Sequence, residues 1–71
     1  MKKDAKDSIV LVAQKMFKRF GFRKTTMDEI AVAARKGKSS LYYYFKSKEE
    51  VFEAVVEKEA TTLRTDIITN I

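Results

Sequence analysis

Proline is absent from this chain, and glycine occurs only at positions 21 and 37. These two residue types are the strongest breakers of regular structure, so a chain with so little punctuation most economically folds as an all-α protein. The apolar residues repeat with helical spacing. Ile9, Val10, Val12, Ala13, Met16, Phe17 and Phe20 fall on one broad face of a first helix over about residues 4–20, with Leu11 opposite them and Lys15, Lys18 and Arg19 flanking. Gly21 then stops the helix, because a residue without Cβ enters the left-handed conformation that satisfies the last carbonyls. Phe22 is expected to fold back onto that last turn.

Thr26-Met27-Asp28-Glu29 has the spacing of a capping box, with hydroxyl and carboxylate each reaching the other residue's amide. It opens a second helix, about 27–35, whose core face carries Met27, Ile30, Ala31 and Ala34. A short third helix follows at about 38–45. Ser47-Lys48-Glu49-Glu50 repeats the capping-box spacing and opens a fourth, about 48–70. Val51, Phe52, Val55 and Val56 are its expected core residues. Ala60, Leu63, Ile67 and Ile71 continue the apolar stripe with nothing upstream left to cover them.

The net charge of +5 and a pI near 9.6 favour acidic partners: nucleic acid, anionic lipid or acidic protein. Without cysteine or histidine the chain has no disulfide, no thiolate or imidazole metal ligand and no neutral-pH acid–base group. With no phosphate-cradling glycine loop either, no catalytic constellation is visible, and neither enzyme activity nor a cofactor is expected. No apolar run approaches the ~20 residues of a membrane span. A soluble, cytoplasmic protein is the expectation.

The segment Leu41–Lys48, LYYYFKSK, concentrates the chemistry. On a helix Leu41, Tyr44 and Phe45 share one face by the i, i+3, i+4 rule, which leaves Tyr42 and Tyr43 on the other. Between Arg35 and Lys48 stand five cations (Arg35, Lys36, Lys38, Lys46, Lys48) and no acid, whereas Glu49–Glu59 holds five acids against Lys58 alone. An apolar anchor backed by hydroxyls and cations is what a DNA-reading helix requires. A basic membrane-surface helix would instead carry its aromatics on the apolar side, and the placement of Tyr42 and Tyr43 argues against it.

From Ile9-Val10, Ala13, Met16-Phe17 and Gly21-Phe22, through Thr25-Thr26, Ile30-Ala31, Ala34 and Lys38, to Leu41-Tyr42, Tyr44-Phe45 and Ser47-Lys48-Glu49, the chain resembles the TetR (tetracycline repressor) family of bacterial transcriptional regulators. The likeness covers roughly residues 7–56. It implies a three-helix DNA-binding domain over residues 1–47, with the second and third helices as helix-turn-helix and the third in the major groove. It implies that residues 48–71 close the core and lead to an absent domain that dimerises and senses a small-molecule inducer. The expected partner is a palindromic double-stranded operator, bound by a homodimer that acts as a repressor.

One departure from the family lies at the turn. Members often show Ala-Gly-Val-Ser-Lys-Gly-Thr where this chain has Ala34-Arg35-Lys36-Gly37-Lys38-Ser39-Ser40. Either Arg35 takes the left-handed conformation of the replaced glycine, at ~1 kcal/mol, or the second helix runs on and Gly37 makes the turn.

The expected DNA-binding residues are Thr25, Thr26, Arg35, Lys36, Lys38, Ser39, Ser40, Tyr42, Tyr43 and Lys48. Tyr42 matches a phosphate-binding position of the family, and Tyr43 a more variable one. Lys38, Ser39 and Ser40 stand where a recognition helix meets base edges, although the serines also suit a helix cap. Arg35 and Lys36 are either phosphate clamps or solvated turn residues. Thr25 and Thr26 cap a helix start and offer hydroxyl and amide to phosphate. Lys48 opposes the dipole of its own helix, a local cost that an anionic partner would relieve.

Overall fold

The computed structural model describes the backbone of residues 5–69 and the side chains of residues 5–60. Four helices and no strand occur among them: α1 (Ala5–Phe20), α2 (Met27–Ala33), α3 (Lys38–Tyr44) and α4 (Lys48–Thr69). No helix among the described residues is long and apolar enough to cross a membrane.

Each boundary has a local cause. Gly21 sits at φ 89, and its amide donates to the Phe17 carbonyl, ending α1. The ring of Phe22 folds back to 5.5 Å from that of Phe17, as the sequence predicts. Thr26 is the N-cap of α2 with both arms of the capping box formed: the Glu29 amide donates to Thr26 Oγ1, and the Thr26 amide donates to Glu29 Oε1, each at 3.1 Å. The second capping box is only half formed. The Glu50 amide donates to Ser47 Oγ at 3.3 Å, but the Glu50 carboxylate takes the amide of Lys46 at 2.9 Å instead of that of Ser47.

α1 packs on α2 and α4, and α2 packs on α3. The core comprises Ile9, Val10, Ala13 and Phe17 of α1, Ile30 and Ala31 of α2, Leu41 and Phe45 at α3, and Val51 and Val55 of α4. Met16, Phe22, Met27, Ala34 and Ala54 pack against its edge. Hydrogen bonding also joins α1 to α4, with Gln14 Nε2 donating to Glu59 at 3.2 Å.

Four residues expected in the core are exposed instead. Phe20, the last residue of α1, and Val56, beside the buried Val51–Val55 stripe of α4, are about half exposed. Phe52 is likewise partly exposed, though its ring meets Phe17 and Phe22 edge-on at 5.6 and 5.1 Å. Tyr44 is exposed, not core. α3 ends at Tyr44, and the extended backbone of Phe45 carries that ring into the interior instead. Of the apolar stripe expected along the end of α4, Ala60 is exposed. Leu63, Ile67 and Ile71 lie outside the residues whose side chains are described, as do the expected helix ends at residues 4 and 70.

Fully buried Leu41 and Ile30 should dominate stability. In urea unfolding of the chain, Leu41→Ala should cost about 3 kcal/mol and Ile30→Val about 1, while Phe20→Ala should cost well under half of the Leu41 value.

Candidate nucleic-acid interface

Between α2 and α3 the chain has four residues in which to reverse, and the hydrogen bonds record how. The Lys36 amide donates to the Ala31 carbonyl at 2.9 Å, and the Arg35 amide donates to that of Val32 at 3.0 Å. This nested pair is the Schellman arrangement, which needs a left-handed residue just after the C-cap. Arg35 supplies it, with φ 58. Of the two routes open from sequence the chain therefore takes the first, and α2 ends at Ala33, two residues before the expected end. Gly37 is the N-cap of α3, with φ −70 and ψ 159. Ser39 and Ser40 thus fall inside the first turn of α3, not at its cap, and both are exposed.

α3 is amphipathic in one turn. Leu41 and Phe45 are buried, whereas Tyr42 is 42% exposed and Tyr43 77%. The rings of Tyr43 and Tyr44 meet edge-on at 5.1 Å. Arg35, Lys38, Ser39 and Ser40 are exposed, and Lys36 is half-buried. Lys38 Nζ lies 3.3 Å from Asp28 Oδ2, which brings the first turns of α2 and α3 to one edge of the molecule. The fold therefore gathers Thr26, Arg35, Lys38, Ser39, Ser40, Tyr42 and Tyr43 on or beside the α2–α3 unit, with their side chains outward.

Two expected contact residues are placed differently. Thr25 is buried, at 1% exposure, and its hydroxyl donates to the Gly21 carbonyl at 2.9 Å. Its side chain ties down the end of α1 and presents nothing outward. Lys48 does stand at the start of α4, but its ammonium donates to the Phe22 carbonyl at 2.8 Å and to that of Arg23 at 3.4 Å. It also lies 4.3 Å from the centroid of the Phe22 ring. The negative partner that its position demands is supplied by the protein's own carbonyls and π face. The Thr26 hydroxyl is similarly committed to Glu29.

Asp28, which enters the sequence reading only within the capping-box segment of α2, also belongs to this surface through its ion pair with Lys38. No group of carboxylates suited to a metal ion occurs among the described residues.

Comparison with known proteins follows the same outline. Residues 9–55 match the family profile of bacterial regulatory proteins of the tetR family. The chain belongs to that family. It is 44% identical over 52 residues to the uncharacterized HTH-type transcriptional regulator YhgD of Bacillus subtilis, covering 73% of this chain and 27% of that protein. It is 39% identical over 54 residues to the HTH-type transcriptional regulator QacR of Staphylococcus aureus, covering 76% and 29% respectively. Identity to the biofilm operon icaADBC HTH-type negative transcriptional regulator IcaR of the same species is 40% over 52 residues, covering 73% and 28%. The chain spans somewhat more than a quarter of the length of these curated relatives.

Two substitutions check this geometry. Arg35→Gly removes the left-handed strain and should raise the unfolding free energy by about 1 kcal/mol, read from the urea midpoint. Lys48→Ala should lower it by about 1–2 kcal/mol, since it leaves the Phe22 carbonyl without its ammonium partner. A Lys48→Ala variant as stable as the parent would show that the ammonium bears no load in the fold.

Proposed function

We propose that this chain is the DNA-binding part of a TetR-family transcriptional regulator, with α3 as the recognition helix in the major groove of double-stranded DNA. The observation that carries this reading is the division of α3 into a buried side, Leu41 with Phe45, and an outward side of phenolic, hydroxyl and cationic groups. The names of the relatives, all HTH-type transcriptional regulators and one of them negative, support it and favour a repressor.

In this reading Tyr42 hydrogen-bonds a backbone phosphate and fixes the register of α3, and Tyr43 touches phosphate or base. Lys38 addresses guanine O6 and N7 from the first turn, beside the more permissive Ser39 and Ser40. Arg35 and Lys36 clamp phosphate from the turn. Thr26 stands at the start of α2 facing the backbone. Thr25 acts from within, by holding the α1–α2 connection. Lys48 braces the same connection, and it reaches a phosphate only by releasing the Phe22 carbonyl.

A helix-turn-helix dimer sets two recognition helices about 34 Å apart on a palindromic operator. Joining two such domains, and sensing an inducer, would fall to polypeptide outside the matched residues 9–55. The regulator acts in the cytoplasm, where the operator is.

Selection of preferred duplexes from a random pool at fixed salt, followed by competition binding, tests the assignment. Tyr42→Phe should weaken binding to every duplex alike, by roughly fivefold, the worth of one hydrogen bond of about 1 kcal/mol. Lys38→Ala should alter the preferred base at one position, and Lys36→Ala should flatten the dependence of log K on log salt by about 0.9 per subunit. Binding without sequence preference, or a base-specific loss at Tyr42 with a uniform one at Lys38, would contradict these roles.

A further inference from the structure

The ion pair between Lys38 and Asp28 joins the residue assigned to base reading with an acid from the neighbouring helix. Asp28 has no part in the capping of α2, which Thr26 and Glu29 complete between themselves. Nor does α3 carry an acid of its own in its first turn, so Asp28 answers the Lys38 ammonium from across the helix pair. Both side chains are well exposed, at 67% and 62%, and lie on the edge where α2 and α3 begin. A carboxylate on a surface meant for phosphate is unfavourable unless it does something there, because it repels the polyanion.

We infer that Asp28 is a specificity-determining positioning residue: it holds the Lys38 ammonium toward base edges and withholds it from the phosphate backbone. The chemistry follows from the shape of the two groups. An ammonium has three donors on a flexible four-carbon stem and, left alone, settles on the nearest phosphate. Held at 3.3 Å from Asp28, it keeps two donors for the O6 and N7 of a guanine, and one cation can bridge carboxylate and base together. On DNA lacking that guanine, the ammonium stays paired with Asp28 and neutralises no phosphate, while the carboxylate faces the duplex. The pair is exposed and therefore weak, so it biases the choice without blocking binding. Asp28 thus penalises non-specific complexes more than the specific one.

The inference rests on Lys38 as a base contact, and the test separates the two. Binding of the full chain carrying Asp28→Asn, Lys38→Ala or both is measured on the selected duplex and on a random duplex. Asp28→Asn should raise affinity for the random duplex roughly three- to fivefold and steepen its salt slope by about 0.9, as Lys38 gains a phosphate. Affinity for the selected duplex should change by less than about twofold, so the specificity ratio falls. Asp28→Glu should keep the ratio of the parent. In the Lys38→Ala background, Asp28→Asn should leave the ratio unchanged. Melting temperatures should stay together across the Asp28 variants, since the α2 cap is intact. Equal gains on both duplexes, or an Asp28→Asn effect that persists without Lys38, would overturn the role of Asp28 alone. Lys38→Ala with unaltered base preference would overturn the base contact beneath it as well.

Discussion

A helix of seven residues does not hold itself together in water; forming its first turn fixes more dihedrals than its few hydrogen bonds repay. α3 exists because Leu41 and Phe45, one turn apart, are buried in the core shared by α1, α2 and α4. Full burial of each such side chain contributes about 2–3 kcal/mol, enough to order one helical turn. That anchor also sets the rotation of the helix. With Leu41 inward, Tyr42 and Tyr43 are carried outward; Lys38, Ser39 and Ser40, in the first turn of the helix, are exposed as well. The chemical face of the domain is thus a consequence of its packing.

The connections on either side are built to different standards. Before α2, Gly21 accepts a left-handed backbone at no steric cost, and Thr25 and Lys48 lock the loop from inside and outside. Before α3, the left-handed position is given to Arg35. Strain tolerated at that point places a guanidinium beside α3 where a glycine would offer none. Lys48 at the start of α4 also stands against its helix dipole, but there the protein's own carbonyls compensate the cation, so the side chain supports the fold.

Most of the fold was legible because helix periodicity, two glycines and one strong capping box leave few alternatives. The Ile30–Ala31 and Val51–Val55 registers follow directly from spacing. Position 44 was less legible: an i, i+3, i+4 rule assumes that the helix continues, and α3 unwinds at Phe45, so Phe45 enters the core from extended backbone and Tyr44 stays out. The candidate surface was legible in its residue types and less so in their partners. Sequence shows that Lys48 wants a negative neighbour, but a phosphate and a backbone carbonyl satisfy that demand equally well. It shows a threonine pair before α2, but not that Thr25 turns inward and Thr26 outward. Contacts between helices, such as Lys38 with Asp28, depend on the crossing of α2 and α3, which no local pattern encodes.

In the proposed function, the outward side of α3, with the turn before it, is the surface that meets DNA. The most direct measurement is amide chemical-shift mapping of the labelled protein as a selected duplex is added. The largest shifts should fall between Arg35 and Tyr43 and at Thr26, with α4 between Glu53 and Glu59 nearly still. Shifts concentrated on that acidic stretch of α4, with the tyrosine segment unmoved, would contradict that role.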